Sequence, residues 1–171
     1  MGNVEILKHG DIQFTMAGTV ISHSEYNINK VLPIHFLQIW VKPDIQKLTP
    51  AYNTKSFPDS VKINNLSHII SPVFKQDPET IGIHTDFHMF ASILQPKNKV
   101  VHKVQEAVND GVNSRKLYVH LNSTGSQLKI NENIMLKPGD GAFITDVVSG
   151  ENVTFESIGD KDAEFVLFDL V

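Results

Sequence analysis

The sequence predicts an all-β protein of the sandwich or barrel type. No segment carries a long apolar period of 3.6 residues, so long amphipathic helices are not expected. Short runs of apolar and β-branched residues recur instead, and turn residues interrupt them about every 8–12 positions. The pattern is most regular from residue 115 onward, where five runs follow one another: KLYVHL, QLKI, AFITD, NVTFES and EFVLFDL. Glycine-containing turns such as NSTGS and KPGDG separate them.

Two earlier runs also predict strands. Residues 34–43, IHFLQIWVKP, end in a proline, and residues 81–94 read IGIHTDFHMFASIL. In the first run His35 shares a strand face with apolar residues, which predicts a histidine in the core or lining a barrel. In the second run His84, Asp86 and His88 share one face, and the residues between them make the other face apolar. By spacing alone these three side chains could bind a metal. A barrel strand buries its apolar face, however, so we expect this polar face to point into solvent.

The one helical candidate is VVHKVQEAVNDG, residues 100–111. Val101, Val104 and Val108 would share a helix face, and Gly111 could end the helix. A strand followed by a turn is equally compatible with this segment.

The chain divides into two units around a polar connection. Residues 44–65, DIQKLTPAYNTKSFPDSVKINN, are weakly periodic and contain proline and asparagine, as linkers do. We therefore expect an N-terminal piece with its linker over residues 1–58 and a larger unit over residues 59–171. The phrases LKHGD at 7–11 and LKPGD at 136–140 suggest two copies of one β-unit. In the second phrase we expect Asp140 and Gly141 in the tight turn.

Composition excludes several classes of function. The 171 residues are 41% hydrophobic, which is enough for a core, and a net charge of −4 gives no basic face for nucleic acid. No apolar run is long enough to span a membrane, and residues 1–11 lack the apolar core of a secretory signal, so neither a membrane span nor a signal peptide is expected. Cysteine is absent, so disulfide and thiolate chemistry are excluded. A soluble cytoplasmic protein is the expectation.

A candidate metal site lies in AGTVISHSEYN, residues 17–27. His23 and Glu25 are two positions apart among residues that favour extended chain, and in a strand their side chains would point to the same side. An imidazole and a carboxylate that converge are two ligands of a metal site. His9 could add a third if the strands pair. The alternative is a hydrogen-bonded or solvated pair without metal. His68, His102 and His120 show no partner pattern.

Five ordered phrases resemble the pirin family, whose members fuse two cupin (double-stranded β-helix) barrels in one chain. GDIQFTMAGTVISHSE resembles its Gly-Asp, Met-x-Ala-Gly and His-Ser-Glu block, and HFLQIWVKP with TPAY resembles the strand and linker between the barrels. IHTDFHMF resembles the opening strand of the second barrel, and LKPGDGAFITD with DAEFVLFDL resembles its closing strands. The resemblance implies an incomplete N-terminal cupin over residues 1–58 and a complete C-terminal cupin over residues 59–171.

The resemblance also implies a function. Pirin proteins are similar to non-haem iron proteins, and some oxidise flavonols such as quercetin with O₂. His23 and Glu25 match the second pair of the family's metal ligands. The phrase MGN resembles the middle of a longer family phrase, so the His-x-His pair that precedes it in the family has no counterpart here. The resemblance thus implies half of a site for Fe(II) or another divalent metal, weakly occupied or empty in the isolated chain.

Three hypotheses follow from this resemblance. The first is a quercetin 2,3-dioxygenase-type protein whose missing ligands come from a partner chain or from additional sequence. The second is a non-catalytic regulatory or interaction module, and the third is an inactive remnant without metal. Because a truncated barrel would leave sheet edges and apolar residues such as Phe14, Ile39 and Trp40 open, a homodimer or a partner protein is expected to cover it.

Overall fold

The computed structural model describes residues 4–107, 114–123 and 125–171. Strands dominate these residues, and the helical elements among them are short. They are α1 (Asp59–Lys62) and a 3₁₀ turn (Val73–Lys75). The all-β prediction is confirmed. No helix among the described residues is long and apolar enough to cross a membrane.

A two-stranded antiparallel sheet lies in the N-terminal part. It pairs β1 (Asp11–Met16) with β2 (Ala51–Ser56), so that Asp11 lies opposite Ser56. Strand β2 falls in the segment predicted as a linker. Strand β2 forms because the chain returns alongside β1, so that the backbone groups of the two strands bond to each other. Just after β2, the amide of Phe57 donates to the carbonyl of Gly10.

Two larger sheets follow from residue 67 onward. The first has six strands in the order β10-β7-β12-β5-β3-β4, and the second has four in the order β6-β11-β8-β9. All neighbours in both sheets are antiparallel except β3 and β4. The strands are β3 (Ser67–Pro72), β4 (Ile81–Ile83), β5 (Phe87–Leu94), β6 (Lys99–Lys103), β7 (Ser114–Leu121), β8 (Leu128–Ile130), β9 (Ile134–Leu136), β10 (Gly141–Val148), β11 (Asn152–Ser157) and β12 (Ala163–Leu170).

The five runs predicted after residue 115 all form strands. They are β7, β8, β10, β11 and β12. Their inward residues, such as Leu117, Val119 and Phe165, belong to one fully buried cluster between the two large sheets. The run at 81–94 forms two strands, β4 and β5, separated by a bend at residues 84–86. Of the helix and strand alternatives for residues 100–111, the strand is correct over residues 100–103; residues 108–111 lie outside the described part.

The prediction of a strand at residues 34–43 is wrong. No strand is present between β1 and β2, and His35 is exposed rather than in a core. A strand needs neighbours for its backbone groups, and this segment has none among the described residues. Ile39 and Trp40 are exposed as expected, with Trp40 at 87%. Phe14 is not open, because it packs on the outer face of the six-stranded sheet.

Both faces of the six-stranded sheet are covered. Its inner face meets the four-stranded sheet, whereas its outer face carries a second apolar cluster that includes Phe87, Met89 and Phe168. Ile12, Phe14 and Val41 of the N-terminal part pack against this second cluster. The central strand β5 is therefore buried on both sides. Its residues alternate between two buried faces, and neither face points into solvent.

The repeated phrase forms the same turn twice. At residues 8–11 and at 137–140 the aspartate side chain accepts the amide of the lysine, and the aspartate amide donates back to the lysine carbonyl. The glycine between them has a positive φ, 85° at Gly10 and 86° at Gly139. The glycine expected in the turn was Gly141, but Gly141 begins β10 and Gly139 takes the left-handed position that glycine adopts at low cost.

Candidate functional site

His23 and Glu25 converge, although not on a strand. The distance from His23 Nε2 to Glu25 Oε1 is 3.8 Å, and both side chains are partly exposed. The chain from residue 20 to residue 29 has no regular secondary structure, so the prediction of a strand here is wrong. The pair therefore meets without a strand partner.

No third ligand joins this pair among the described residues. Within residues 4–107, 114–123 and 125–171, no group of three histidine, aspartate or glutamate side chains is placed to hold a metal ion. His9, the one further candidate ligand that the sequence suggested, is engaged elsewhere. Its Nε2 lies 2.8 Å from Glu164 Oε1 and its Nδ1 lies 3.2 Å from Asp59 Oδ1. His9 therefore joins the turn before β1 to α1 and β12 and does not complete the site.

The donor types of His23 and Glu25 fit a divalent metal, but their number does not complete a site. Two atoms bound to one metal at about 2.1 Å are about 3 Å apart, so a small rotation would bring 3.8 Å into range. Open-site metals such as non-haem iron take about three protein ligands, which must be held by neighbouring groups. Among the described residues the pair offers two donors where such a site needs about three.

The polar face of HTDFH is largely buried. The prediction that it points into solvent is therefore wrong. His88 is only 2% exposed and Asp86 is largely covered, while His84 lies in the bend before β5. The reason is that the apolar face of β5 packs under the N-terminal part. The even-numbered face, with His88, Phe90 and Ser92, consequently points into the space between the two large sheets.

A buried ionic network occupies that space. Arg115 on β7 donates from Nε to Asp169 Oδ1 on β12, and from Nη1 to Asp86 Oδ1 at 3.0 Å. His102 Nε2 on β6 lies 2.7 Å from Asp169 Oδ2, which also accepts the amide of Gln105 at 2.9 Å. Burial alone raises the pKa of Asp169, but the hydrogen bonds from His102, Gln105 and Arg115 bring that pKa below its usual range. Asp169 is therefore ionised.

Two further histidines lie next to this network. His68 Nε2 and His88 Nδ1 are 3.1 Å apart, and the ring of His68 stacks on Phe90 at 4.4 Å between ring centres. Burial lowers the pKa of His68, and burial, helped by His68 and Arg115, lowers the pKa of His88 to about 4. Both imidazoles are neutral at physiological pH. His88 Nε2 is buried and has no hydrogen-bond partner among the described residues.

Sequence reasoning did not predict this network, although two signals pointed to it. Asp169 is a carboxylate near the end of the apolar run EFVLFDL, and Arg115 is the only arginine of the sequence. A charged residue within a strand that is buried on both faces needs a partner, because an unpaired buried charge is costly. The partner's identity depends on strand order, which the sequence does not show. His68 and His102 had no recognisable pattern for the same reason.

Comparison with known proteins identifies the family. The family model described as Pirin matches residues 1–41. Quercetin 2,3-dioxygenase of Escherichia coli strain K12 is 28% identical over 170 residues, and that of Escherichia coli O157:H7 is 29% identical over 171. Each alignment covers 99% of this chain but 65% of the relative, so the chain spans about two thirds of these relatives' length.

Solved structures show the same fold. YhhW from Escherichia coli superimposes with a TM-score of 0.60 at 20% identity, over 77% of this chain and 48% of YhhW. The nickel(II) complex of the bacterial pirin YhhW gives 0.57 at 20% identity, over 75% and 47%. The two large sheets thus form a cupin barrel. The matching family model, the relatives that align along almost all of this chain and the shared fold agree. The chain belongs to the pirin family.

Proposed function

We propose that this chain is part of a metal-dependent, quercetin 2,3-dioxygenase-type protein and that His23 and Glu25 supply two ligands of its metal. The observation that carries the proposal is the convergence of these two side chains at 3.8 Å in a partly exposed position. Neither forms a hydrogen bond to another described residue, so both are available to a metal. The names of the relatives in Escherichia coli support a flavonol-type substrate.

The remaining ligands come from outside the described residues in this proposal. A second chain can supply them, or polypeptide that precedes this sequence in a longer protein. When bound, a divalent metal such as Fe(II) or nickel(II) provides a Lewis acid with open positions for O₂ or substrate. The contribution of His23 and Glu25 is to hold that metal from one side.

Metal analysis of purified protein tests the assignment. Wild type, His23→Ala and the matched control His35→Ala, which removes an exposed imidazole from the same segment, are loaded with Fe(II) or Ni(II) and dialysed. We expect the isolated chain to retain little metal and to leave quercetin unchanged. If a second chain completes the site, metal content rises with protein concentration, and His23→Ala abolishes it while His35→Ala does not. Stoichiometric metal in the His23→Ala variant would contradict the assignment.

A non-catalytic interaction module is the second candidate, and a different observation favours it. Apolar side chains between residues 20 and 40 are exposed in the isolated chain, including Ile34 at 57%, Phe36 at 60% and Trp40 at 87%. Exposed apolar surface favours binding of a protein partner. We propose that a second copy or a partner protein covers it. Association without metal uptake or quercetin turnover would favour this candidate over the first.

A further inference from the structure

Strand β6 lies at the edge of the four-stranded sheet, and its only strand neighbour among the described residues is β11. The carbonyl of Asn98, just before β6, accepts the amide of Ser157 at 2.9 Å. The amide of Val104, just after β6, donates to the carbonyl of Glu151 at 2.8 Å. Bonded residues alternate in an antiparallel ladder, so the backbone groups of the even-numbered residues of β6 face β11 and those of the odd-numbered residues point away from it.

The free edge of β6 consists of the backbone groups of Lys99, Val101 and Lys103. Among the described residues no backbone group bonds to this edge, and one side chain does, since Gln105 donates to the Lys103 carbonyl at 3.3 Å. Val101, at the centre of the strand, is 52% exposed. An open strand edge of this kind is a template on which a further strand can pair.

A cleft of about 390 Å³ lies beside the free edge, between β6 and the loop that joins α1 to β3. Leu66 of that loop, Phe90 of β5 and Val100 of β6 give the cleft apolar walls, and all three belong to the inner cluster or pack against it. Side chains alternate between the two faces of a strand, so every second side chain of a strand added to β6 would point into this cleft. Those side chains should be small and apolar.

The opposite face of β6 points into solvent and is positively charged. Lys99 and Lys103 are both exposed, and neither forms an ion pair with another described residue. Glu156, which lies opposite Lys99 in the ladder, pairs with Lys129 at 2.6 Å instead. Two copies of β6 paired edge to edge in antiparallel would bring Lys99 of one copy next to Lys103 of the other, which disfavours self-pairing here. The two lysines favour a strand whose outward side chains are carboxylates.

We propose that β6 binds an extended acidic peptide segment of another protein as an additional strand. Backbone hydrogen bonds form between the peptide and Val101 at the centre of the free edge. Small apolar side chains of the peptide enter the cleft beside Leu66 and Phe90, and alternate carboxylates face Lys99 and Lys103. The site needs no metal. It also lies apart from the exposed apolar residues between residues 20 and 40, so it goes beyond both proposed functions.

Titration of metal-free, isotope-labelled protein with the capped peptide acetyl-Glu-Val-Thr-Val-Glu-amide tests the proposal. The peptide reads the same from both ends, so it presents valines to the cleft and carboxylates to the lysines in either strand direction. One matched peptide carries an N-methylated threonine and lacks the central backbone donor, and the other has lysine in place of both glutamates. We expect saturable NMR shifts of the Val101 amide, with a dissociation constant on the order of 1 mM, and about tenfold weaker binding of both matched peptides.

Protein variants test the contribution of the two lysines. The double variant Lys99→Glu and Lys103→Glu should reverse the preference, so that the peptide with two lysines binds more tightly than the peptide with two glutamates. The control variant Lys116→Glu and Lys137→Glu changes the net charge equally at exposed positions elsewhere and should keep the original preference.

Three results would each overturn the proposal: equal binding of the N-methylated peptide, an unchanged preference in the β6 variant, or shifts that map away from β6. The titration involves neither His23 and Glu25 nor the exposed segment at residues 20–40. Failure here therefore leaves both proposed functions standing, and failure of either proposed function leaves this site standing.

Discussion

His102 and Asp169 are 67 residues apart in sequence, yet their side chains meet at 2.7 Å inside the C-terminal barrel. They belong to different sheets, β6 in the four-stranded sheet and β12 in the six-stranded sheet. Arg115 approaches the same carboxylate from β7. This contact therefore ties the two sheets together by a buried hydrogen bond, whereas apolar side chains hold them together elsewhere.

Removing the carboxylate of Asp169 should destabilise the barrel strongly. Asp169→Ala leaves the fully buried Arg115 with one carboxylate fewer and His102 without its acceptor, and breaking a buried pair in this way costs about 3–5 kcal/mol. Urea unfolding followed by circular dichroism measures the loss. Asp160→Ala, at an exposed position, is the matched control and should cost less than about 0.5 kcal/mol. Equal effects of the two substitutions would show that the network is not a stabilising unit.

The buried histidine His88 should make stability depend on pH. Its pKa is lowered to about 4 in the folded state from an ordinary value of 6.5, so the unfolded chain binds the proton first as pH falls. Stability is therefore complete above pH 6.5 and declines towards pH 4, by about 3 kcal/mol for a pKa difference of this size. Urea midpoints between neutrality and pH 4.5 measure the decline. His88→Gln should flatten it, and an unchanged slope would contradict the prediction.

The two equivalent turns should respond differently to alanine. At Gly139 an added Cβ would meet nothing within 4 Å, so Gly139→Ala carries only the cost of a positive φ, about 1–2 kcal/mol. At Gly10 the same atom would lie 2.5 Å from the carbonyl oxygen of Phe57, so Gly10→Ala adds a steric cost. Thermal melts of the two variants should rank Gly10→Ala as the less stable. The reverse order would mean that the contact between Gly10 and Phe57 does not persist.

Residues 59–171 should fold without the N-terminal part. The inner cluster, with Leu117, Phe155 and Phe165, lies wholly within this segment. Losing Phe57, Ile12 and Phe14 exposes part of the outer cluster, so we expect lower stability but a native β-type circular dichroism spectrum. A segment that stays unfolded would count against the division at residue 58 and would indicate that the N-terminal part is needed as a cover.

Trp40 should report association of the chain. It is the only tryptophan and is 87% exposed, so its emission in the isolated chain should be that of a solvated indole. If a second copy covers the apolar residues around it, emission shifts to shorter wavelength as concentration rises to tens of micromolar, and light scattering gives the mass of a dimer. A monomer with unchanged emission at that concentration would exclude self-association as the cover.

The sequence alone determined the strand character of the C-terminal half, the place of its turns and the proximity of His23 to Glu25, although not which glycine takes the left-handed position at residues 137–141. These features are local. The alternation of apolar and polar residues in a strand, the positive φ of a turn glycine and the two-residue spacing of His23 and Glu25 each involve only a few neighbouring residues. Only the tertiary structure decided which face of β5 is inside, because the N-terminal part covers the apolar face and leaves His88 facing the barrel interior. It also decided that Asp169 meets His102 and Arg115, since burial of a charge depends on partners that distant strands bring into contact.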